Sequence, residues 1–167
     1  PSPSFTLSPD EGCGPMMVSF NNNSVGYNPS YFWIFGNGQT DTLPSPPPVT
    51  YTSSLYNDTV YFISLALNNL CGNITVTDSV LVHPSPTSYF GVNVNSGCSP
   101  LTINFSNNSY GLPTSYFWDF GDGTTSFDSL PIPHTYFAFT NDTTYYITLI
   151  TMNACGSDTL IDSITVH

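Results

Sequence analysis

One comparison constrains this chain more than any other: displaced by 85 positions, it matches itself. Cys13 falls on Cys98, Phe20 on Phe105, and Ser30-Tyr31-Phe32-Trp33-Ile34-Phe35-Gly36-Asn37-Gly38 on Ser115-Tyr116-Phe117-Trp118-Asp119-Phe120-Gly121-Asp122-Gly123. Beyond Tyr51 and Tyr136 one residue is deleted and the offset becomes 84, so that Asn57-Asp58-Thr59 meets Asn141-Asp142-Thr143, Cys71-Gly72 meets Cys155-Gly156, and His83 meets His167. The repeat covers all 167 residues and predicts two domains, 1–83 and 84–167, each large enough for a small sandwich. Pro84-Ser85-Pro86 reproduces Pro1-Ser2-Pro3 and reads as a short, stiff linker. The phase of the repeat suggests that the segment belongs to a longer head-to-tail array.

Within each copy, short alternating segments lie between turn signals. Leu101, Ile103 and Phe105 alternate with polar residues, as do Tyr145, Ile147 and Leu149, and β-branched and aromatic residues dominate both runs. Neither copy holds a helical period of useful length. Roughly seven strands fit into each copy, which predicts an all-β chain of two tandem immunoglobulin-like β-sandwiches. Gly36-Asn37-Gly38 and Gly121-Asp122-Gly123 follow an aromatic strand, and Asn-Gly or Asp-Gly there predicts a type I′ hairpin.

Charge narrows the partners. Lys and Arg are absent against 11 acidic residues, whereas an ordinary soluble domain of this length carries on the order of 20 basic ones. Nucleic acid and anionic lipid both need cations on the protein, so neither is an expected partner. No apolar stretch approaches the ~18 residues of a membrane span, and no membrane insertion is expected. The four cysteines, Cys13, Cys71, Cys98 and Cys155, are even in number and too widely spaced for a metal knuckle. A pair of disulfides fits better and implies an extracellular, oxidising location.

Trp118-Asp119-Phe120-Gly121-Asp122-Gly123, followed by His134-Thr135-Tyr136 and the alternating Tyr145, Ile147, Leu149 strand, resembles the signature order of the polycystic kidney disease (PKD) domain, and both copies resemble it nearly end to end. Trp33, Phe35, Gly36 and Gly38, with Trp118, Phe120, Gly121 and Gly123, form the shared fold motif: two aromatics on one strand face and a turn that reverses the chain. Copy 1 departs from it with Ile34 for Asp119, Asn37 for Asp122 and Val49 for His134. These are the positions that could carry chemistry, so a turn-forming role outweighs a metal or catalytic one. The cysteine positions are similar to those in PKD repeats of bacterial surface proteins. That resemblance implies Cys13 to Cys71 and Cys98 to Cys155, one of three pairings that four cysteines allow. Each bridge would close a loop worth roughly 4 kcal/mol of chain entropy.

Catalysis finds little support. His83, His134 and His167 are the available imidazole bases, and two of them close strands at a domain border. Asp119 and Asp122 could form a carboxylate pair, but copy 1 has neither, so the chain is expected not to be an enzyme. Some PKD domains of secreted enzymes bind calcium, and the uncompensated charge would welcome it. No Asp-x-Asp-x-Asp-Gly loop occurs, so no resident cofactor is expected and Ca²⁺ is assigned no residues. Trp33 and Trp118 are expected in the core, while Tyr27 and Tyr110 in loops could equally face a sugar.

Seven of the ten Asp precede Ser or Thr and then an aliphatic residue or Thr, where random placement gives about one. The tripeptide is similar to the O-glycosylation motif of Bacteroidota secreted proteins, which implies glycans at Thr42, Thr59, Ser79, Ser129, Thr143, Thr159 and Ser163. A purely structural reading, in which Asp-Ser/Thr starts strands and caps turns, stands beside it. Sequons at Asn22, Asn57, Asn73, Asn107 and Asn141 matter only in a eukaryotic source. The leading expectation is a non-catalytic repeat module of a bacterial surface adhesin, stalk or filament, partnered by neighbouring repeats of the same or an identical chain. An accessory module of a secreted hydrolase that binds a polysaccharide or protein is the alternative. Without Lys or Arg the chain also offers trypsin no site.

Overall fold

A computed structural model describes residues 1–167. The chain divides into two units, Pro1–Pro84 and Ser85–His167, each with its own core and no helix.

Copy 1 has eight strands: β1 (Phe5–Ser8), β2 (Glu11–Cys13), β3 (Met16–Asn22), β4 (Ser30–Ile34), β5 (Thr40–Asp41), β6 (Val49–Tyr51), β7 (Thr59–Asn69) and β8 (Gly72–His83). They form a small sheet in the order β1-β3-β6 and a larger one in the order β2-β8-β7-β4-β5. Alternation fixes which side faces in. Met16, Val18 and Phe20 of β3 are buried with Phe5, Val49 and Tyr51, opposite Trp33, Ile63, Leu65, Leu67, Val80 and Val82 of the larger sheet. Copy 2 repeats this as β9 (Phe90–Val92), β10 (Ser96–Gly97), β11 (Leu101–Ile103), β12 (Phe105–Asn107), β13 (Ser115–Asp119), β14 (Thr125–Ser126), β15 (His134–Tyr136), β16 (Thr143–Asn153) and β17 (Gly156–Val166). Its β11 and β12 correspond to the single strand β3, interrupted at Asn104, whose N–H donates to the Asn93 side chain at 2.8 Å rather than to a ladder carbonyl.

Two features lie beyond the sequence pattern. The first strand of each copy changes sheets: β1 pairs antiparallel with β3, whereas β2, after Pro9, pairs parallel with the end of β8, Glu11 facing Leu81 and Cys13 facing His83. The crossing falls at Pro9, which has no N–H to continue a ladder, in copy 1 and at Val94 in copy 2, after which the Asp10 carbonyl accepts the Leu81 N–H and the Asn95 carbonyl the Thr165 N–H, both at 2.9 Å. The second feature is the length of the β7–β8 and β16–β17 hairpins, which are paired continuously from Thr59↔Val82 to Asn69↔Gly72 and from Thr143↔Val166 to Asn153↔Gly156.

The turn after the aromatic strand corrects an expectation. A type I′ hairpin needs two adjacent central residues with positive φ. Here Gly36 and Gly38 take φ 76° and 90°, and Gly121 and Gly123 take 78° and 89°, while Asn37 and Asp122 between them do not. The middle side chain instead accepts the N–H two residues on, Gln39 to Asn37 Oδ1 at 3.1 Å and Thr124 to Asp122 Oδ1 at 3.0 Å. A Cβ on Gly36 would lie 2.6 Å from the Phe62 carbonyl oxygen, and one on Gly121 would meet that of Tyr146. The first glycine of the motif is thus required twice over, by conformation and by the approach of the neighbouring strand.

Candidate functional site

The Trp-x-Phe pair builds the centre of each sandwich. Trp33 and Trp118 are fully buried, each ringed by two aromatics of the opposite sheet, and each indole N–H donates at 3.0 Å to a carbonyl, of Leu43 and of Asp128 respectively. Neither ring is available to a sugar. Tyr27 is largely exposed and Tyr110 half-buried.

The polar positions that distinguish copy 2 converge on one cluster. His134 stacks flat on Phe120 at 4.5 Å, and its Nε2 meets Asp122 Oδ2 at 2.7 Å. The Thr124 hydroxyl donates to Asp122 Oδ1 at 2.6 Å and lies 3.4 Å from the same Nε2. Burial alone would raise the Asp122 pKa, but bonds from the Thr124 hydroxyl, His134 and the Thr124 N–H hold it below the ordinary carboxylate value. The cluster resembles a Thr-His-Asp relay only in composition. A relay needs the hydroxyl and the carboxylate on opposite ring nitrogens, whereas here both meet one nitrogen and the hydroxyl proton already points at the carboxylate. Asp119 Oδ1 accepts the Gly121 N–H at 2.9 Å and steadies the turn. In copy 1 Asn37 and Val49 leave no such pair.

His83 spans two carboxylates, Nδ1 to Asp58 Oδ1 at 2.8 Å and Nε2 to Glu11 Oε1 at 2.9 Å. The Asp58 bond and then the Glu11 bond raise its pKa above 6.5 against a smaller opposing effect of burial. The imidazole thereby ties β2, β8 and the loop before β7 together. His167 meets only Asp142, at 3.1 Å, because Ser96 stands where copy 1 has Glu11. No three His, Cys, Asp or Glu side chains gather as a metal ion would need.

The cysteines overturn the expected pairing. Cys71 and Cys98 are free, exposed thiols, while Cys13 and Cys155 are disulfide-bonded, so the bridges Cys13–Cys71 and Cys98–Cys155 do not form. The reason is the hairpin. Cys71 precedes Gly72 at one end of β8 and Cys13 faces His83 at the other. At ~3.3 Å per residue the strand holds them roughly 36 Å apart, where a disulfide needs Cα atoms about 4.4–6.8 Å apart. In copy 2, Cys155 precedes Gly156 at the start of β17, and Cys98 lies by its end, with the Ser99 N–H on the His167 carbonyl.

These ends are also where the chain arrives and departs. Asn69, beside Cys71, donates to the Tyr27 carbonyl at 3.2 Å, next to Gly26, whose Cβ would lie 3.1 Å from Pro1. Asn153, beside Cys155, donates to the Gly111 carbonyl at 2.8 Å, and Gly111 abuts Ser85. Each copy therefore has a proximal pole, holding the arriving chain and a Cys-Gly hairpin tip, and a distal pole, holding the departing chain and the other cysteine. Sequence reasoning missed the poles, although unbroken alternation on both sides of Cys71-Gly72 marked it as a hairpin tip.

None of Thr42, Thr59, Ser79, Ser129, Thr143, Thr159 and Ser163 is buried. Their preceding aspartates do structural work: Asp41, Asp78 and Asp162 each accept the N–H of the following residue, and Asp158 accepts the Ser88 N–H at 2.7 Å.

The family model for the PKD domain matches residues 81–167, just over half the chain and the copy that keeps Asp119, Asp122 and His134. A protein of Methanosarcina mazei with a solution NMR structure is 38% identical over 47% of this chain and 51% of its own, with a TM-score of 0.37, so this chain spans about half its length. The PKD1 domain of the Vibrio cholerae metalloprotease PrtV is 30% identical over 49% of this chain and 96% of its own, with a TM-score of 0.38. The three-domain immunoglobulin ectodomain of mouse nectin-like molecule 4 is 12% identical over 99% of this chain and 64% of its own, with a TM-score of 0.54, a likeness of fold. No curated protein matches.

Proposed function

Because the chain belongs to the PKD domain family, whose members are immunoglobulin-like modules typical of extracellular proteins and generally without catalysis, we propose that it is a non-catalytic length-giving repeat of a bacterial surface adhesin, stalk or filament. The observation that carries this reading is the polarity of each copy. The chain arrives beside the hairpin tip and departs at the far end of an 11- or 12-residue strand. A module threaded end to end adds its full length to an array, roughly 36 Å for β8, whereas one with both termini at the same end adds a branch. The indole at the centre of each core is spent on packing, and the polar cluster of copy 2 is absent from copy 1, so neither supplies a ligand site shared by both copies.

On this reading the partners are neighbouring repeats, the location is the cell surface, and the exposed or half-exposed hydroxyls of the Asp-Ser/Thr tripeptides are places for O-glycans. Small-angle scattering of the chain should give an elongated particle, and electron microscopy of the parent on cells should give projecting fibres. Specific binding to a glycan array, with a compact scattering profile, would instead favour an accessory binding module. An intact mass of the native protein equal to that of the bare polypeptide refutes the glycans.

A further inference from the structure

We propose that copy 1 pairs with a second molecule of this chain through the free edge of β8, the two edges running antiparallel over Asn73 to Thr77. This goes beyond the stalk reading and does not depend on it. The hairpin decides which backbone groups are open. The Leu81 N–H bonds the Asp10 carbonyl and the His83 carbonyl accepts the Gly14 N–H, so these residues turn their backbone groups toward the β2 side. Alternation turns the N–H and C=O of Asn73, Thr75, Thr77 and Ser79 the same way, off the β7 ladder. Strand β2 is too short to meet them, since it faces only Leu81 to His83. Ser79 is closed by its neighbour, because Asp78 Oδ1 accepts its N–H at 2.8 Å. Asn73, Thr75 and Thr77 remain, all exposed, in a stretch from Gly72 that has no charge, no proline and no bulge. Such an edge is a template for another strand.

Charge and register select the partner. A second molecule offers no Lys or Arg to an acidic face, so two chains can approach only where acids are missing, as they are here. With Thr75 opposite Thr75, Asn73 faces Thr77, and each of these pairs exchanges two hydrogen bonds. In that register Ile74, 48% exposed, meets the half-buried Val76 of the other molecule. Asp78 falls opposite Gly72, which has no side chain to crowd the carboxylate. The equivalent edge of copy 2 carries its own block. Asp158 stands where copy 1 has Ile74, fixed by the Ser88 N–H at 2.7 Å. Self-pairing about Thr159 would set two such carboxylates on a diagonal of the ladder, about 7–8 Å apart, with no cation between them.

The test is sedimentation equilibrium of the 167-residue chain with its free thiols alkylated, and backbone amide shifts followed over the same concentrations. The expected result is a dimer with a Kd on the order of 0.1 mM, as a small interface gives. It should tighten as salt screens the net charge of −11. The amides of Asn73, Thr75 and Thr77 should move with concentration, and those of Ser157, Thr159 and Ile161 should not. Two variants disable the edge while keeping the fold. Thr75→Pro removes an N–H that the β7 ladder does not use, and Ile74→Asp installs the residue that copy 2 already holds. Each should weaken the dimer by at least about tenfold, with thermal melts showing the chain still folded. The matching Thr159→Pro in copy 2 should leave it unchanged. A chain still monomeric at about 1 mM overturns the proposal. So does a dimer indifferent to both variants, one that moves the copy 2 amides instead, or one that salt dissociates. A monomer whose three amides move only on adding an extended, β-branched peptide assigns the edge to a foreign strand and overturns pairing with a second molecule.

Discussion

Tyr51 and Tyr136 occupy equivalent places, yet phenylalanine should act oppositely at the two. Both side chains are 1% exposed, and both rings pack 4.8 Å from a tyrosine of the larger sheet, Tyr61 and Tyr145 respectively. The Tyr51 hydroxyl donates to the Phe35 carbonyl at 3.0 Å, whereas the Tyr136 hydroxyl is buried with no partner. The difference traces to residue 134: where copy 1 has Val49, His134 stacks on Phe120 and stands edge-on to Tyr136 at 4.7 Å. Tyr51→Phe breaks a buried hydrogen bond and strands the Phe35 carbonyl, which costs about 1–3 kcal/mol. Tyr136→Phe removes a hydroxyl that was desolvated for nothing, so copy 2 should be unchanged or more stable by up to about 2 kcal/mol. Hydrogen exchange on the intact chain reads each copy separately through the central amides of β7 and β16. A 2 kcal/mol loss appears as roughly 30-fold faster exchange in copy 1 if exchange follows its global opening. A Tyr136→Phe variant that loosens copy 2 as much as Tyr51→Phe loosens copy 1 would refute the reasoning.

Gly121→Ala should cost about 2–4 kcal/mol, from a positive φ of 78° and a Cβ driven against the Tyr146 backbone, whereas Gly123→Ala, with nothing within 4 Å, should cost only about 1 kcal/mol; thermal melts of the two variants check the contrast. Asp122→Asn keeps an acceptor for the Thr124 N–H, as Asn37 does for Gln39, and should cost under about 1 kcal/mol at neutral pH. Since the Asp122 pKa is depressed in the fold, its stabilisation is present above the unfolded value near 3.8 and lost as pH falls through the folded one, so the variant should show a shallower acid loss below pH 4. His83 runs the other way: its raised pKa gives stability that is complete below 6.5 and lost as pH rises through the folded value. Its imidazole proton resonance should titrate above 6.5 and move toward it in Asp58→Asn and Glu11→Gln, and a wild-type midpoint at or below 6.5 would contradict the two-carboxylate clamp.

Much of the sandwich was legible because burial on one sheet face writes itself as a period of two. Ile147, Leu149 and Thr151 point inward as the alternation requires, and Trp33 and Phe35 on one face predict a core that both copies hold. The Gly-x-Gly positions were legible but the turn type was not, since dipeptide preference cannot tell which residue carries the positive φ when the neighbouring strand decides how close the backbone must come. The crossing of β1 to β2 was not legible at all. Pro9 forbids a ladder bond at one residue, but which strand is met afterwards depends on the far end of the sequence, 70 residues away at Leu81.

The cysteine pairing failed for a related reason. Loop length and even number constrain which pairs are favourable in an unfolded chain, but a bond forms only between positions the sheet brings within a few ångströms, and the longest hairpin keeps Cys13 and Cys71 at opposite ends. Trp33 and Trp118, or Gly36 and Gly121, are the same in both copies, whereas at the inward positions Leu67 and Val49 copy 2 has Thr151 and His134. At the poles Tyr27 stands against Leu112, Leu70 against Ala154, and Glu11 against Ser96. The cysteines depart from that pattern: they lie at the poles and are the same in both copies.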